Sequence, residues 1–393
     1  MELKINISML SSDLHGKAKK EQVERELHDL LGVDIAIPDL NEKSTEDCLA
    51  EDKLQLLYIR TGGTEAEFKE KILPLLRQMN KPAYLLASNT SNSLAASLEI
   101  LSYLRQEGLQ GEILHGSQEY IQQRILKLHA IHQARQQLHG QQLGIIGKPS
   151  DWLIASEANA NEVRRKLGIE LVEVAIDEVV SAIGQLPIDG GKEGAMRIYE
   201  ALKSVVEKHQ LQGFTIRCFD LLGKVHNTGC LALAKLNSEG LVAGCEGDVP
   251  AMLSMAICRA LFGISGFQAN PAQIDVKTGQ ITLAHCTIPL DMVERYELDT
   301  HFESGIGVGI RGFMALGPVT LFKVSGDLSR QFIAEGTLLR NESRPDRCRT
   351  QLVIQLDDPA QAQYFLTNPI GNHHIILPGR KQDQLQTLSQ PLP

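Results

Sequence analysis

The alternation of apolar and polar positions separates the chain into three parts, and in the first part apolar runs alternate with amphipathic stretches. Strands are predicted at Lys4–Ser8, Val33–Ile37, Leu54–Ile59, Pro82–Ala87 and Glu112–Leu114. Helices are predicted at Ala18–Leu31, Glu65–Met79, a stretch that ends near Gln106, and Ser117–His139. Strands that alternate with helices indicate βα units on a mostly parallel sheet. We therefore expect an N-terminal α/β domain over residues 1–140.

The same alternation continues through the second part of the chain. Strands are predicted at Leu143–Gly147, Glu170–Val174, Phe214–Phe219 and Leu241–Cys245. Helices are predicted at Ala158–Leu167, Lys192–His209 and Pro250–Phe262, the last ending at Gly263. These elements predict a central α/β domain over residues 141–265.

After residue 265 the pattern changes to period-two alternation with frequent turn residues. Strands are predicted at Gln280–Cys286, Gly305–Phe313, Pro318–Val324, Gln331–Leu339 and Arg349–Leu356, with a short helix at Pro359–Leu366. We expect the tail from Arg380 to be poorly ordered. The predicted fold class is α/β: two doubly wound, Rossmann-like α/β domains, then a mainly antiparallel, barrel-like C-terminal domain over residues 266–393.

Composition and charge narrow the possible partners. The chain has 393 residues, of which 43% are hydrophobic and 22% charged, and its formal net charge is −9. An acidic chain lacks the basic surface of a nucleic-acid binder and has no reason to bind an anionic membrane. No apolar run approaches the ~20 residues of a membrane span, and no secretory signal is expected. The seven scattered cysteines, without a CxxC pair, favour a reducing cytoplasm over a disulfide framework or structural zinc.

The segment around residue 246 carries the clearest candidate chemistry. An apolar strand runs into Glu246, Gly247 and Asp248, and a helix follows with Pro250 in its first turn. Asp248 is placed to cap that helix, and a direct chemical role is compatible with capping. Glu246 lies at the carboxyl end of its strand, where α/β enzymes place functional groups. A carboxylate there can bind a metal ion or move a proton.

Histidines are the second signal, since four of the twelve fall in the β-rich part: His285, His301, His373 and His374. His285 lies in an otherwise apolar strand, where a buried structural histidine is the alternative to a ligand. His373 and His374 lie at a loop-to-strand boundary. Because adjacent strand residues point to opposite faces, we expect at most one of these two to meet a given ligand. Histidines together with carboxylates suit a divalent metal such as Mn²⁺.

The predicted domains and the order of these motifs along the chain resemble those of the L-fucose isomerase and L-arabinose isomerase superfamily, especially its fucose-isomerase-like branch. In that family a Mn²⁺-binding glutamate stands in an E-G-D or E-N-D motif between a strand and a helix, which Glu246 matches. A histidine ligand near the C-terminus stands in an N-H-G or H-H context, which His373 matches. The segment Ala284–Pro289 is similar to the strand motif A-H-M-L-E-V-C-P of the arabinose branch. The resemblance covers residues 214–379.

The resemblance implies a metal-dependent aldose–ketose isomerase that acts on a sugar or sugar derivative through an enediol. It implies Mn²⁺ or another divalent metal held by Glu246, Asn270 and His373. Glu246 would also carry a proton, with Asp248 as the alternative base. The family forms oligomers, so a homo-oligomer is expected.

Further residues are candidates for contacts to the substrate. His285 and His301 are candidates for contacts to sugar hydroxyls, and His374 is a further candidate. Trp152, the only tryptophan, offers either a stacking surface for a sugar or a hydrophobic anchor between domains.

One position departs from the family pattern. Where a second acidic ligand is expected, the chain has no Asp or Glu between Gly266 and Pro271, so Asn270 or Gln268 would have to take its place. An amide oxygen can coordinate a divalent ion, but it cannot act as a base. Two alternatives therefore stay open: an epimerase or lyase on the same scaffold, or a non-catalytic cytoplasmic sugar-binding protein.

Overall fold

The computed structural model describes residues 4–12, 19–32, 53–79, 82–184 and 188–389. These residues divide into two compact units, one up to Gln136 and one over Gln137–Ser389. The predicted strand Val33–Ile37 lies outside the described residues. No helix within the described ranges is long and apolar enough to cross a membrane.

The first unit contains a four-stranded parallel sheet with the strands in sequence order. Its strands are β1 (Ile5–Leu10), β2 (Leu54–Ile59), β3 (Ala83–Ala87) and β4 (Gly111–Leu114). Its helices are α1 (Lys20–Leu31), α2 (Glu65–Glu67), α3 (Leu73–Met79), α4 (Ser93–Gln106) and α5 (Gln118–Leu138). A short π-helix (Phe68–Ile72) joins α2 to α3. Gly32 ends α1 in the left-handed conformation, with φ of 66°, as the sequence predicts.

Helices cover both faces of this sheet. One apolar cluster joins the strands to α1 and α5, through residues such as Val23, Leu27 and Ile125. A second cluster joins the opposite side to α3 and α4, through residues such as Leu73 and Ile100. Both faces of a parallel sheet must be buried, which is why its strands read as continuous apolar runs.

The second unit begins with another parallel sheet, in the order β6–β5–β7–β8. Its strands are β5 (Gln142–Ile146), β6 (Glu170–Val174), β7 (Gly213–Ile216) and β8 (Val242–Gly244). Its helices are α6 (Ala160–Leu167), α7 (Ile176–Ile183), α8 (Lys192–Lys208), α9 (Cys218–Val225), α10 (Cys230–Ser238) and α11 (Val249–Phe262). The chain order reverses at β5, and ligands of open α/β sheets bind beyond the strand ends at such a reversal.

The prediction of a strand at Phe214–Phe219 is wrong in its second half. Strand β7 ends at Ile216, and Phe219 lies in helix α9. The apolar residues Leu221 and Val225 are four residues apart and fully buried, so the helix packs its apolar face into the core of this sheet.

The rest of the second unit is a closed barrel of six antiparallel strands, in the order β10–β15–β14–β13–β16–β9. The barrel strands are β9 (Phe267–Asp275), β10 (Gln280–His285), β13 (Gly317–Val324), β14 (Gln331–Glu342), β15 (Thr350–Leu356) and β16 (His374–Pro378). This part of the unit also contains a hairpin formed by β11 (Arg295–Asp299) and β12 (Gly309–Phe313). It further contains two 3₁₀ turns, at Leu290–Met292 and Pro359–Gln363, and helix α12 (Tyr364–Thr367). The coarse fold prediction, parallel α/β sheets and an antiparallel barrel, is confirmed.

The barrel and the second sheet share a core. Barrel residues such as Phe267 and Leu283 pack with Ala195 of α8 and Leu231 of α10. Helix α11 also lies against β13 and β16. This packing brings the end of β8 to the rim of the barrel. Separate central and C-terminal domains with a boundary at residue 265 stay a prediction.

The expected disorder of the C-terminal tail is wrong as far as residue 389. Helix α13 (Gln382–Ser389) buries Leu385 and Leu388, and the Gln382 N–H donates to Glu335 Oε1 at 3.1 Å. The two leucines lie three residues apart on one helix face, a signal that the polar composition around them obscures.

Candidate metal centre

The turn after β8 holds Glu246 in a backbone conformation that few non-glycine residues adopt. Glu246 has φ of 61°, and Gly247 after it has φ of 63°. The loop after β5 packs against this turn: Ser150 Oγ donates to the Glu246 carbonyl oxygen, and a Cβ at Gly247 would lie 3.0 Å from the Lys148 carbonyl oxygen. Left-handed non-glycine residues cost about 1–3 kcal/mol and cluster at functional sites. The strain at Glu246 therefore indicates a functional turn.

Three side chains from separate elements meet beside this turn. Glu246 follows β8, His285 ends β10, and His373 directly precedes β16. Glu246 Oε1 lies 3.2 Å from His285 Nε2 and 3.7 Å from His373 Nε2. One ligand atom from each residue lies within 4.8 Å of the others. These separations suit three ligands on one side of a single ion.

Hydrogen bonds fix the orientation of both imidazoles. His373 Nδ1 lies 2.9 Å from Asp248 Oδ2, and His285 Nδ1 lies 3.0 Å from Thr287 Oγ1. In each ring the Nε2 atom consequently faces Glu246. Ligating histidines generally use the other ring nitrogen for such a supporting contact.

The Asp248 carboxylate contacts the start of helix α11, a buried lysine and His373. Its Oδ1 accepts the Ala251 N–H at 2.7 Å, which caps helix α11 as the sequence predicts. Its two oxygens also lie 3.1 and 3.2 Å from the Nζ of Lys323, whose side chain is 1% exposed. Since His373 takes the remaining position on Oδ2, this buried carboxylate has little capacity left to contact a substrate.

Charges inside the site stabilise one another. Burial opposes ionisation of Glu246, but His373 and His285 hold the pKa of its carboxyl group well below the usual range. Burial also opposes ionisation of Asp248, and Lys323 and His373 likewise hold its pKa low. Burial would lower the pKa of His373, yet Glu246 and Asp248 raise it to about 9. A metal ion that binds Nε2 of His373 must therefore displace a proton at neutral pH.

The residues present fit a divalent metal. His373 Nε2 is buried and has no hydrogen-bond partner among the residues described. An orphaned buried nitrogen is costly, and ligation of a metal would satisfy it. Two imidazoles with one carboxylate are a donor set suited to divalent transition metals.

Strand β9 carries two amides at the position where the resemblance to the isomerases predicts an acid. Gln268 Oε1 accepts the Cys245 N–H at 2.9 Å, and its Nε2 donates to the Cys245 carbonyl at 3.1 Å. Gln268 therefore fastens the barrel to the residue before Glu246. Asn270 pairs in register with Ala284, and its Oδ1 is buried without a partner among the described residues. A metal-ligand role for Asn270 stays a prediction.

His301 and Trp152, two residues predicted to contact the substrate, both pack against the ring of Phe219. His301, which is 9% exposed, has its ring centroid 5.8 Å from that of Phe219. Phe219 packs edge-to-face on Trp152 with centroids 5.4 Å apart. Trp152 is 41% exposed, and the Arg217 guanidinium lies 5.1 Å from its ring centre. Contacts of His301 and Trp152 with a substrate stay predictions.

His374 lies in a different environment. Its Nδ1 contacts the Asn372 carbonyl and its Nε2 the Tyr364 hydroxyl, both at 3.0 Å. Phe332 and Phe365 pack against its ring. Burial lowers the pKa of His374 to about 3, so it is neutral. Both ring nitrogens of His374 are therefore engaged within the barrel, and a contact of His374 with a substrate stays a prediction.

Lys323 and Thr287 contribute to this site although neither is among the residues that the sequence motifs predict. A lysine inside the apolar strand Pro318–Val324 is itself a signal, because a buried lysine needs a carboxylate partner. The sequence predicts a sugar contact for His285, whereas the structure brings His285 into the triad. The similarity of its segment to the arabinose-branch strand motif was the available signal.

Comparisons with known proteins point to one class. No family model matches the chain. The chain is 21% identical over 304 residues to the sulfoquinovose isomerase of Priestia aryabhattai, covering 69% of this chain and 68% of the relative. It is 25% identical over 191 residues to the sulfoquinovose isomerase of Clostridium sp. (strain MSTE9), covering 48% and 40%. It is 20% identical over 261 residues to that of Alkalicoccus urumqiensis, covering 59% of each. The chain is thus similar, at low identity, to sugar isomerases.

Proposed function

We propose that this protein is a metal-dependent aldose–ketose isomerase acting on a sugar or sugar derivative. The observation that carries the proposal is the triad of Glu246, His285 and His373, in which the buried Nε2 of His373 has no hydrogen-bond partner among the described residues. The relatives' name supports the reaction class. It also makes sulfoquinovose the first substrate to test.

The reaction moves one hydrogen from C2 to C1 of the open-chain sugar and one from O2 to O1. A divalent ion in the triad would stabilise the negative charge that develops on the sugar oxygens. The protein must hold that ion, orient the sugar and transfer protons.

The residues of the site divide these tasks. Glu246, His285 and His373 hold the ion, and Asp248 and Thr287 orient the two rings. Because Oε1 of Glu246 faces both histidines, its Oε2 is the atom we assign to proton exchange between O2 and O1. Asp248 acts through His373, since its oxygens are already engaged.

Product analysis tests this function against its alternatives. The full chain, loaded with Mn²⁺, is incubated in D₂O with sulfoquinovose, L-fucose and L-arabinose, and products are followed by NMR. An isomerase gives a ketose with the same number of carbons. An epimer, shorter fragments or no product from metal-loaded protein would contradict the proposal.

Matched variants connect the activity to the triad. His285→Gln and His373→Gln should lose both bound Mn²⁺ and at least roughly 100-fold in activity, as expected when ligands are removed. His139→Gln, an exposed histidine of the same unit, should change neither. Equal effects of all three variants would exclude a specific role for the triad.

A further inference from the structure

We propose that Cys218 and Cys245 form a reversible oxidation site, and that a disulfide between them weakens metal binding by the triad. The disulfide depends on the two thiols alone, whereas its effect on the metal rests on the proposed function. Both residues are free cysteines in the structure. Cys218 has no role in the chemistry described so far, and Cys245 directly precedes Glu246 of the triad.

The sulfur atoms of the two cysteines are in contact. The thiol of Cys245 donates to the Cys218 sulfur at 3.4 Å. The contact arises because β7 and β8 pair in parallel, and each cysteine lies within two residues of the carboxyl end of one of these strands. A disulfide needs a sulfur–sulfur distance of about 2.05 Å, so the two atoms have to approach by only about 1.4 Å.

Cys218 is placed to react first with an oxidant. It is the first residue of α9, a helix whose start has no side-chain cap, so the positive end of the helix favours the Cys218 thiolate. The Cys245 thiol adds a hydrogen bond to the same sulfur. Cys218 is also the more exposed of the two residues, at 8% against 2%. Cys245 is therefore the thiol that closes the disulfide.

Closure of the disulfide acts on the turn that holds Glu246. The Cys245 main chain is fixed by Gln268, which contacts its N–H and its carbonyl, and Thr215 Oγ1 donates to the same carbonyl at 3.3 Å. A side chain that is pulled toward α9 strains these contacts and the turn that follows, in which Glu246 already has φ of 61°. Because a metal site needs its ligands held within about 0.5 Å, a displacement smaller than the sulfur approach misplaces the Glu246 carboxylate.

The oxidation balances with a peroxide as the oxidant. The Cys218 thiolate attacks one oxygen of hydrogen peroxide, the O–O bond breaks, and the hydroxide that departs takes up the proton that Cys218 released. Cys218 is then a sulfenic acid. The Cys245 sulfur attacks the Cys218 sulfur, the S–O bond breaks, and the second hydroxide leaves as water with the Cys245 proton. The two sulfurs together lose two electrons, which the peroxide gains, and a dithiol reverses the disulfide by thiol exchange.

Peroxide treatment of the full, metal-free chain tests the site. The reduced protein is treated with hydrogen peroxide, the peroxide is removed, and the remaining thiols are alkylated for peptide mapping by mass spectrometry. We expect a cross-link between Cys218 and Cys245 that dithiothreitol removes. In parallel samples without alkylation, titration with Mn²⁺ should show a Kd that rises by at least roughly tenfold on oxidation and returns on reduction.

Two serine variants act as a matched pair. Cys218→Ser should bind Mn²⁺ like the reduced wild type before peroxide treatment, and its Kd should stay unchanged afterwards. Cys258→Ser removes a buried cysteine of α11 and should keep the peroxide effect. The pair separates disulfide formation from general oxidation of the protein.

The outcomes separate this inference from the proposed function. Absence of the cross-link, a cross-link between other cysteines only, or a cross-link that leaves the Kd unchanged would overturn the oxidation site alone. A peroxide effect that persists in Cys218→Ser would overturn it as well. Reduced wild type that binds no Mn²⁺ would overturn the effect on the metal and the proposed function together, while the mapped cross-link still decides whether the disulfide forms.

Discussion

Asp248 Oδ2 lies 2.9 Å from Nδ1 of His373, and this contact links the start of helix α11 to the triad of Glu246, His285 and His373. The same carboxylate caps the helix through Ala251 and pairs with the buried Lys323. One side chain thus sets the helix start, neutralises a buried charge and turns Nε2 of His373 toward Glu246. The site is therefore built into the junction between sheet and barrel.

Asp248→Asn should weaken Mn²⁺ binding by roughly 10–100-fold, because His373 loses its charged supporting partner. It should also destabilise the fold by about 3–5 kcal/mol, because Lys323 is left buried with no counter-charge. Titration calorimetry and urea unfolding measure the two effects.

A second variant separates these effects. Adding Lys323→Met to Asp248→Asn removes the unpaired charge, so stability should partly return while Mn²⁺ affinity stays low. Recovery of both quantities together would show that Asp248 acts on the metal site only through general stability.

The metal-free protein should lose stability as the pH rises from about 6.5 to about 9. The pKa of His373 is about 9 in the fold and 6.5 ordinarily, so the folded protein keeps a proton that the unfolded chain releases. The stabilisation that the protonated His373 imidazole contributes to the free energy of unfolding is fully present below pH 6.5 and is lost as the pH rises through 9. Urea unfolding in the presence of a chelator measures it. A pH slope that persists in His373→Gln would contradict the assignment.

Gly247→Ala should destabilise the protein by about 1–3 kcal/mol and weaken metal binding. The residue needs φ of 63°, and its Cβ would press on Lys148 and Ser150 in the loop after β5. Gly223→Ala is the control, since Gly223 lies in helix α9 with no atom within 4 Å of its Cβ position. That substitution should be neutral or stabilising. Thermal unfolding with and without Mn²⁺ compares the two.

Leu385→Ala should lower the free energy of unfolding by about 2–5 kcal/mol, because Leu385 of α13 is fully buried. Leu366→Ala, at a leucine that is 59% exposed, should change stability little. Equal unfolding midpoints for the two variants would mean that the C-terminal helix does not pack as described.

Much of the architecture can be predicted from local patterns. Apolar runs locate strands such as Glu170–Val174, and glycines such as Gly263 mark helix ends. Period-two alternation predicts the barrel, but not which strands close it. Strands β9 and β16 escape prediction because polar residues such as Gln268 and His374 occupy positions that tertiary contacts satisfy.

The site is only partly predictable from sequence. Glu246 stands out because an acid ends an apolar strand, and Asp248 stands out as a helix cap. That His285 and His373 face the same carboxylate depends on barrel closure, which brings together residues far apart in the chain. The pairing of Lys323 with Asp248 depends on the packing of α11 on β13, which no local pattern encodes.

We propose that Glu246, His285 and His373 bind one divalent ion. A crystal structure of the Mn²⁺-loaded protein, with anomalous diffraction recorded at the manganese edge, tests it most directly. We expect one strong anomalous peak bonded to Glu246 Oε1, His285 Nε2 and His373 Nε2. Its absence at saturating Mn²⁺, or a peak elsewhere with these three side chains unliganded, would contradict the account.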